Sequence, residues 1–409
     1  MSELVSILAG RLSQQQRIWT ALGPGLLILA YLLVALGVFT WVCLRRGLPR
    51  DAEVEKRGST VLLGFALRHY FFWAMQPLWR FVLWTGVPAT ALTTLATLLG
   101  LASGVAAAAG RFALGGWLFL LAGVLDALDG RLARARDEAS PRGAAIDSIL
   151  DRYTDAAFVM GLVWYYRASW VLLPALLALV GGFLVPYVRA RGEGLGIALR
   201  GGALQRPERV VILGVSVALS PVLAAVIAPL DPHPLHELAV AGLVFVGLGS
   251  NLTAVGRLRA LLRALAGGRE PSPARGQMKP ALLGLGMSLA TAVDLLFVLH
   301  LVESHRLGPG LATGLGMILG SLLFFALVAG ARLAGVAIPA GRVRHDLLAA
   351  SVGAALNAGG VALLTLLVPD YRLAWLLTRI AVVLLWGHPM YLDGAPAAIV
   401  DPTKLKQQA

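Results

Sequence analysis

The sequence predicts an all-α integral membrane protein, and three observations carry that expectation. Hydrophobic residues fill 58% of the 409 positions, against about 45–50% in soluble domains. Charged residues fill only 14%, where about 25% is ordinary. Apolar residues also gather into runs of about 20, the length that crosses a hydrocarbon core as a helix. Together these exclude a water-soluble globule and a disordered chain. Lys and Arg number 35 against 22 Asp and Glu, a net charge of +13. In a membrane chain such an excess collects in cytoplasmic loops, so nucleic acid is not the expected partner. Cys43 is the only cysteine, which leaves no intrachain disulfide and no Cys-based metal site.

The first apolar run covers 21–44. Its length and its Arg45-Arg46 flank distinguish it from a cleaved signal peptide. The stretch 61–82 interleaves Arg68, His69, Gln76 and Arg80 with Tyr70, Phe71, Phe72, Trp73 and Trp79, the mixture of an amphipathic helix lying in the interface. Six spans follow at about 88–109, 113–134, 144–166, 169–190, 207–228 and 235–258. His233 and His236 fall in the Pro-rich run from Asp231 to His236 and read as solvated loop histidines. The polar break from Gly267 to Lys279, with its Gly, Pro and Ser, reads as a linker. Four more spans are expected at about 281–302, 310–334, 347–368 and 372–391. The expected division is thus 1–60 (first span and linker), 61–265, a linker at 266–280, and a four-helix membrane domain at 281–409.

Basic residues set the orientation. Alternate connections carry Arg131, Arg134, Arg136 and Arg142, then Arg189, Arg191, Arg200, Arg206 and Arg209, then Arg257, Arg259, Arg263, Arg269, Arg275 and Lys279. Those connections are expected in the cytoplasm, with the protein in the cell's inner or plasma membrane. Arg342 and Arg344, and Lys404 and Lys406 at the C-terminus, continue the alternation.

Four aspartates interrupt the second and third spans of the six. Asp126 and Asp129 are three apart and Asp147 and Asp151 four apart, so each pair shares a helix face. The short connection through Ser140, Pro141, Arg142 and Gly143 folds the helices antiparallel, with both pairs near its cytoplasmic end. One Asp at the centre of a span costs about 2.5–3.5 kcal/mol on the lenient insertion scale, and four together repel. Positive charge is required, and an all-carboxylate set suits a hard divalent cation, Mg²⁺ or Mn²⁺. Carboxylates bridging two such ions form a clamp suited to phosphoryl displacement. Gly130 and Ala133 strip bulk from the face beside Asp129, Arg134 offers a planar donor fork to phosphate oxygens, and Gly143 leaves a gap on the opposing helix.

The run Asp126-x2-Asp129-Gly130-x2-Ala133-Arg134-x8-Gly143-x3-Asp147-x3-Asp151 resembles the motif of the CDP-alcohol phosphotransferase (CDP-alcohol phosphatidyltransferase) family at each defining position. Family-like sequence extends over about 65–265 and includes Gly86-Val-Pro88 at the start of the first of the six spans. The resemblance implies a six-helix bundle with an interfacial helix, here with an extra N-terminal span and an added C-terminal four-helix domain. It implies metal-dependent transfer of a phosphatidyl-type group from a CDP-activated lipid, CDP-diacylglycerol, to an alcohol, with release of CMP. By position, Asp126, Asp129 and Asp147 would hold metal (two ions), and Asp151 would join them and act as general base. Asp129, Gly130, Ala133, Arg134 and Gly143 would line the CDP site.

Pro186-Tyr-Val-Arg-Ala-Arg-Gly-Glu193 and Gln205-Arg-Pro-Glu-Arg209 resemble branches of that family whose acceptor already carries phosphate. Arg189, Arg191, Arg209 and Arg257 are the expected pocket for that dianion. Arg189-Ala-Arg191 favours inositol phosphate, with glycerol phosphate as the alternative. The partners implied are a CDP-lipid, a phosphorylated alcohol and membrane lipids, with room for a homodimer. A reading of another class, an ion-coupled transporter using the acidic cluster, gives the Gly-Ala-Arg face no purpose.

The last four spans lie outside this pattern. Their number and the ending Trp386-Gly-His-Pro-Met390 resemble GtrA-like membrane modules. At about 1.5 Å rise per residue, Asp294 lies about 20 Å from the inner start of its helix. Arg379 lies about 10 Å from the outer start of its own, a similar depth in a core about 30 Å thick, so the two are expected to pair. Gly310-x3-Gly314 and Gly316-x3-Gly320 permit close helix packing.

Overall fold

Glycine and proline mark several breaks between the helices: Gly86 and Gly110 take positive φ, and helices begin at Pro141, Pro280 and Pro309. The computed structural model describes residues 14–46, 69–70, 73–199, 204–227, 234–266, 280–333, 340–386 and 397–399. In chain order the elements are α1 (Gln14–Arg46), α2 (Gln76–Thr85), α3 (Ala89–Ala108), α4 (Phe112–Ala135), α5 (Pro141–Tyr165), α6 (Leu172–Gly194), β1 (Ile197–Leu199), α7 (Arg206–Ile227), α8 (Glu237–Leu265), α9 (Pro280–His305), α10 (Pro309–Leu333), α11 (Ala340–Leu364), α12 (Tyr371–Trp386) and β2 (Ala397–Ile399). Among the described residues the fold is all-helical apart from β1 and β2, which pair antiparallel with Ile197 opposite Ile399. Helices α3 to α12 correspond to the ten spans expected after the interfacial segment. Among the described residues, seven helices are long and apolar enough to cross a membrane: α1, α3, α4, α6, α7, α8 and the first 18 residues of α10. At 25 residues α5 has the length, but Asp147, Asp151, Arg152 and Asp155 lower its hydropathy.

The described residues of Met1–Tyr165 and Val210–Ala239 form one compact unit, and those of Tyr166–Arg209 and Val240–Ala409 a second. In the first unit, α1 docks through Ala35 and Phe39 onto Tyr70 and Ala74. The hydroxyl of Tyr70 donates to the Leu32 carbonyl and that of Tyr31 to the Ala74 carbonyl. Trp117 Nε1 adds a bond from α4 to the Ala21 carbonyl at 3.1 Å.

The described part of the expected interfacial helix is α2 and the short segment before it; residues 61–68 and 71–72 lie outside the described residues. It runs three residues past the expected end, to Thr85. Gly86, at φ 68°, stops it in a conformation that costs glycine little. Leu78, Phe81 and Trp84 form an exposed stripe, the last 81% exposed. Trp79 and Val82 instead pack with Leu92 of α3 and with Leu128 and Leu132 of α4. Two arginines of α4 and its C-cap reinforce the contact: Arg131 lies over the Trp79 ring at 5.0 Å, and Arg136 Nη1 donates to the Val87 carbonyl at 2.7 Å.

Helices α3 and α5 meet almost backbone to backbone. A Cβ on Gly104 would lie 2.2 Å from the Ala157 carbonyl oxygen, and one on Gly161 2.1 Å from the Gly104 oxygen. Only glycine permits this approach, the small-residue logic of membrane helix pairs.

His236 departs from its expected place in solvent. It is 8% exposed, its ring stacks on Phe112 at 4.2 Å, and its Nδ1 lies 3.3 Å from Ser220 Oγ. The backbone at His236 takes φ 59° and its carbonyl accepts from the Ala239 N–H at 2.9 Å. The start of α8 thereby turns the ring onto the aromatic N-terminus of α4. Burial holds this imidazole down to about 4. His233 lies outside the described residues.

In the second unit, Gly181 of α6 backs onto Ser250 and Asn251 of α8, and Asn251 Nδ2 donates to the Leu177 carbonyl at 2.8 Å. Helices α9 to α12 pack each on the next in chain order. The two glycine pairs of α10 face opposite neighbours. Gly310 and Gly314 approach Ala362 and Ala358 of α11, whereas Gly316 and Gly320 approach Asp294 and Ala290 of α9. The expected pair forms: Arg379 Nη2 donates to Asp294 Oδ2, both residues buried, with the guanidinium over Trp375 at 5.2 Å. Residues 387–396, which hold most of the Trp386–Met390 ending, lie outside the described residues.

Candidate active site

Helix α4 presents two faces at its C-terminal end. Leu128 and Leu132 turn into the cluster with α2 and α3, and Asp129, between them in sequence, is buried to 3% exposure. Asp126, one turn earlier, is half-buried. The helix then ends in a Schellman-type cap: Asp137 takes φ 56°, and the Glu138 N–H donates to the Ala133 carbonyl at 2.9 Å. Ser140 caps α5, its Oγ accepting from the Gly143 N–H at 3.1 Å, and Pro141 follows at the first helical position. The turn between the motif's halves is thus built from local capping chemistry.

These elements bring three of the four aspartates together. Asp126, Asp129 and Asp147 each offer one carboxylate oxygen, and these oxygens lie within 4.8 Å of one another. The three oxygens are close enough to share one hard cation, and their all-oxygen donor set fits Mg²⁺ or Mn²⁺. Asp151, one turn beyond Asp147, is half-buried and is not among the three; its Oδ2 lies 3.9 Å from Arg152 Nη1. Arg152 in turn donates to Ser148 Oγ at 2.8 Å.

Around the carboxylates the expected nucleotide face is open. A Cβ on Gly130 would meet only Arg134 Nη1, at 3.4 Å, so packing does not demand glycine there. Arg134 is exposed, Ala133 is half-buried against the leucine cluster, and Gly143 is exposed. A residue that sequence reasoning passed over completes the group. Thr93 of α3 donates from Oγ1 to Asp129 Oδ2 at 2.6 Å. No spacing rule links it to the motif; only the Thr-rich face of α3, Thr90, Thr93, Thr94 and Thr97, hinted at a polar neighbour.

The four arginines lie in the second unit. Arg257 is 5% exposed, with Nη1 donating to the Val185 carbonyl at 2.8 Å, and Arg209 is 7% exposed. The charges of Arg189, Arg209 and Glu193 all act on Arg257. Arg189 is exposed and pairs with Glu193 at 2.9 Å. Arg191, two residues on, points away from Arg189 by helix periodicity and is exposed. Glu193, the last residue of the 186–193 run, adds an anion to this group of arginines.

The family model for CDP-alcohol phosphatidyltransferase matches residues 86–231. A phosphatidylinositol phosphate synthase of Mycobacterium marinum is 32% identical over 197 residues, 45% of this chain and 80% of that protein. The chain belongs to the CDP-alcohol phosphatidyltransferase family. It is an integral membrane protein of that transferase family. A second phosphatidylinositol phosphate synthase, from Mycobacteroides abscessus, is 35% identical over 126 residues, 29% of this chain; the match spans 57% of that protein's length. Among solved structures, the phosphatidylinositol phosphate synthase of Mycobacterium tuberculosis in complex with manganese and citrate aligns at 26% identity and a TM-score of 0.39. That alignment covers 46% of this chain and 88% of the other.

Proposed function

We propose that the protein transfers a phosphatidyl-type group from CDP-diacylglycerol to a phosphorylated alcohol, inositol phosphate, releasing CMP. The observation that carries this reading is the convergence of Asp126, Asp129 and Asp147 beside the open Gly130 and Arg134 face. Similarity to two synthases named for phosphatidylinositol phosphate supports the acceptor.

In this proposal Asp126, Asp129 and Asp147 hold Mg²⁺ or Mn²⁺, two ions as the family resemblance implies. When bound, the metal offsets the pyrophosphate charge and polarises the attacked phosphorus. Gly130 and Gly143 leave room for the nucleotide against the helix backbones, Ala133 limits side-chain bulk, and Arg134 donates to its phosphate oxygens. Asp151 accepts the proton of the acceptor hydroxyl as its oxygen bonds to phosphorus and the bond to CMP breaks. Within the second unit, buried Arg209 and Arg257 with exposed Arg189 receive the acceptor's phosphate; Arg191, facing elsewhere, contributes least. The domain division is proposed as 61–265 for the transferase and 281–409 for the four-helix addition. The excess of arginine in alternate connections supports a cytoplasmic face for the carboxylates.

The test is CMP release by purified full-length protein given CDP-diacylglycerol, Mn²⁺ or Mg²⁺, and inositol phosphate, glycerol phosphate, inositol or serine in parallel. Release with inositol phosphate, lost on metal chelation and at least 100-fold lower in Asp129→Asn, is expected. Release with glycerol phosphate alone reassigns the acceptor. No release with any acceptor rejects the enzyme reading in favour of a transport role for the acids.

A further inference from the structure

We infer that Thr93 is a positioning residue for the metal site: its hydroxyl fixes the carboxylate of Asp129 in the orientation that places it with Asp126 and Asp147. This inference rests on the metal-site reading above.

Thr93 Oγ1 lies 2.6 Å from Asp129 Oδ2 and 3.1 Å from the Ala89 carbonyl of its own helix. A hydroxyl has one proton, and the contact to Asp129 is the shorter of the two. The proton therefore goes to Asp129, and one oxygen of that carboxylate is committed. A carboxylate held at one oxygen has lost its rotation, so the other oxygen keeps a fixed direction. Thr93 is itself held. Its β-branched side chain has few rotamers on a helix, and its own carbonyl accepts from Thr97 Oγ1 at 2.9 Å.

The helix bearing it is held on both sides. Leu92, beside Thr93, is buried with Leu128 and Leu132 of α4. Two turns on, Gly100 admits Thr154 of α5 so closely that a Cβ there would lie 2.2 Å from Thr154 Cγ2. Helix α3 is thus clamped against both aspartate-bearing helices, and Thr93 transmits that rigidity to the most buried of the acids. Groups that hydrogen-bond metal-ligating side chains change metal affinity by about 10–100-fold when removed.

The experiment measures Mn²⁺ binding directly, by loss of the free aquo-Mn²⁺ electron paramagnetic resonance signal, on full-length protein in detergent. Wild type, Thr93→Val, Thr93→Ser, Thr94→Val and Asp129→Asn are compared, with melting curves taken in chelator. Thr93→Val keeps the shape and loses the donor; it is expected to weaken Mn²⁺ binding about tenfold with the metal-free melting temperature unchanged. Thr93→Ser restores the wild-type affinity. Thr94→Val, at an exposed hydroxyl bonded to the Thr90 carbonyl at 2.8 Å, leaves it unaltered. If Thr93→Val does not fold, Thr93→Ala against Thr93→Ser gives the same comparison. Wild-type affinity in Thr93→Val, or equal weakening in Thr93→Val and Thr93→Ser, overturns the role of the hydroxyl while leaving the metal site intact. Wild type that binds no Mn²⁺, or binds it no better than Asp129→Asn, overturns the metal-site reading itself.

Discussion

His236 couples the stability of the first unit to pH. Its imidazole sits against Phe112 and beside Ser220, and burial, with a smaller effect from Arg17, lowers its pKa from 6.5 to about 4. The folded state therefore binds this proton less readily than the unfolded chain. The stability it contributes is complete above pH 6.5, declines as pH falls toward 4, and is fully lost below that. The span of about 2.5 units corresponds to at most about 3.5 kcal/mol. Melting of detergent-solubilised protein between pH 4 and 8 is expected to show that decline, and His236→Phe to flatten it. A decline that persists in His236→Phe assigns it to other groups. Asp137, holding φ 56° at the end of α4, belongs to the same scale. Asp137→Gly is expected to raise stability by about 0.5–1 kcal/mol, read as a higher melting temperature, by removing side-chain strain from the left-handed cap.

At the scale of elements, the glycines decide which helices approach. Gly161→Leu places a branched side chain where a Cβ alone would stand 2.1 Å from the Gly104 carbonyl oxygen. Helices α3 and α5 must then separate. The expected outcome is loss of the monodisperse peak in size-exclusion chromatography, and loss of Mn²⁺ binding in whatever fraction folds. Gly182→Leu serves as the contrast, because a Cβ there meets nothing within 4 Å; it is expected to behave as wild type. Equal behaviour of the two variants would remove the α3–α5 contact as the determinant of the site.

At the scale of the whole molecule, helices α9 to α12 carry a buried ion pair of their own. Removing one partner, as in Asp294→Ala, leaves an uncompensated cation among α9 to α12 and is expected to cost about 3–5 kcal/mol. The double change Asp294→Leu with Arg379→Met is expected to restore most of that loss, since matched apolar replacement of a buried pair is often neutral. Thermal melting of the three proteins checks this; a double variant no better than the single one rejects the pairing. Gly316 enters the same account. A Cβ there would lie 2.2 Å from Asp294 Oδ1, so this glycine makes room for the pair as much as for the helix.

Sequence alone determined what depends on a helix's own periodicity: the order of α3 to α12, the pairing of Asp126 with Asp129 on one face, and the short connection that folds α4 back into α5. It also set Asp294 and Arg379 at matching depth, since rise per residue converts position into depth. Tertiary structure decided how each helix is rotated against its neighbours. That rotation brought Asp147 to Asp126 and Asp129, and it set Thr93, 36 residues from Asp129, on that carboxylate. It also buried Arg257 while leaving Arg191 exposed, and turned His236 inward. Spacing within a segment says which side chains share a face, but the direction of that face is fixed by close contacts such as Gly104 on Gly161, between residues far apart in the chain.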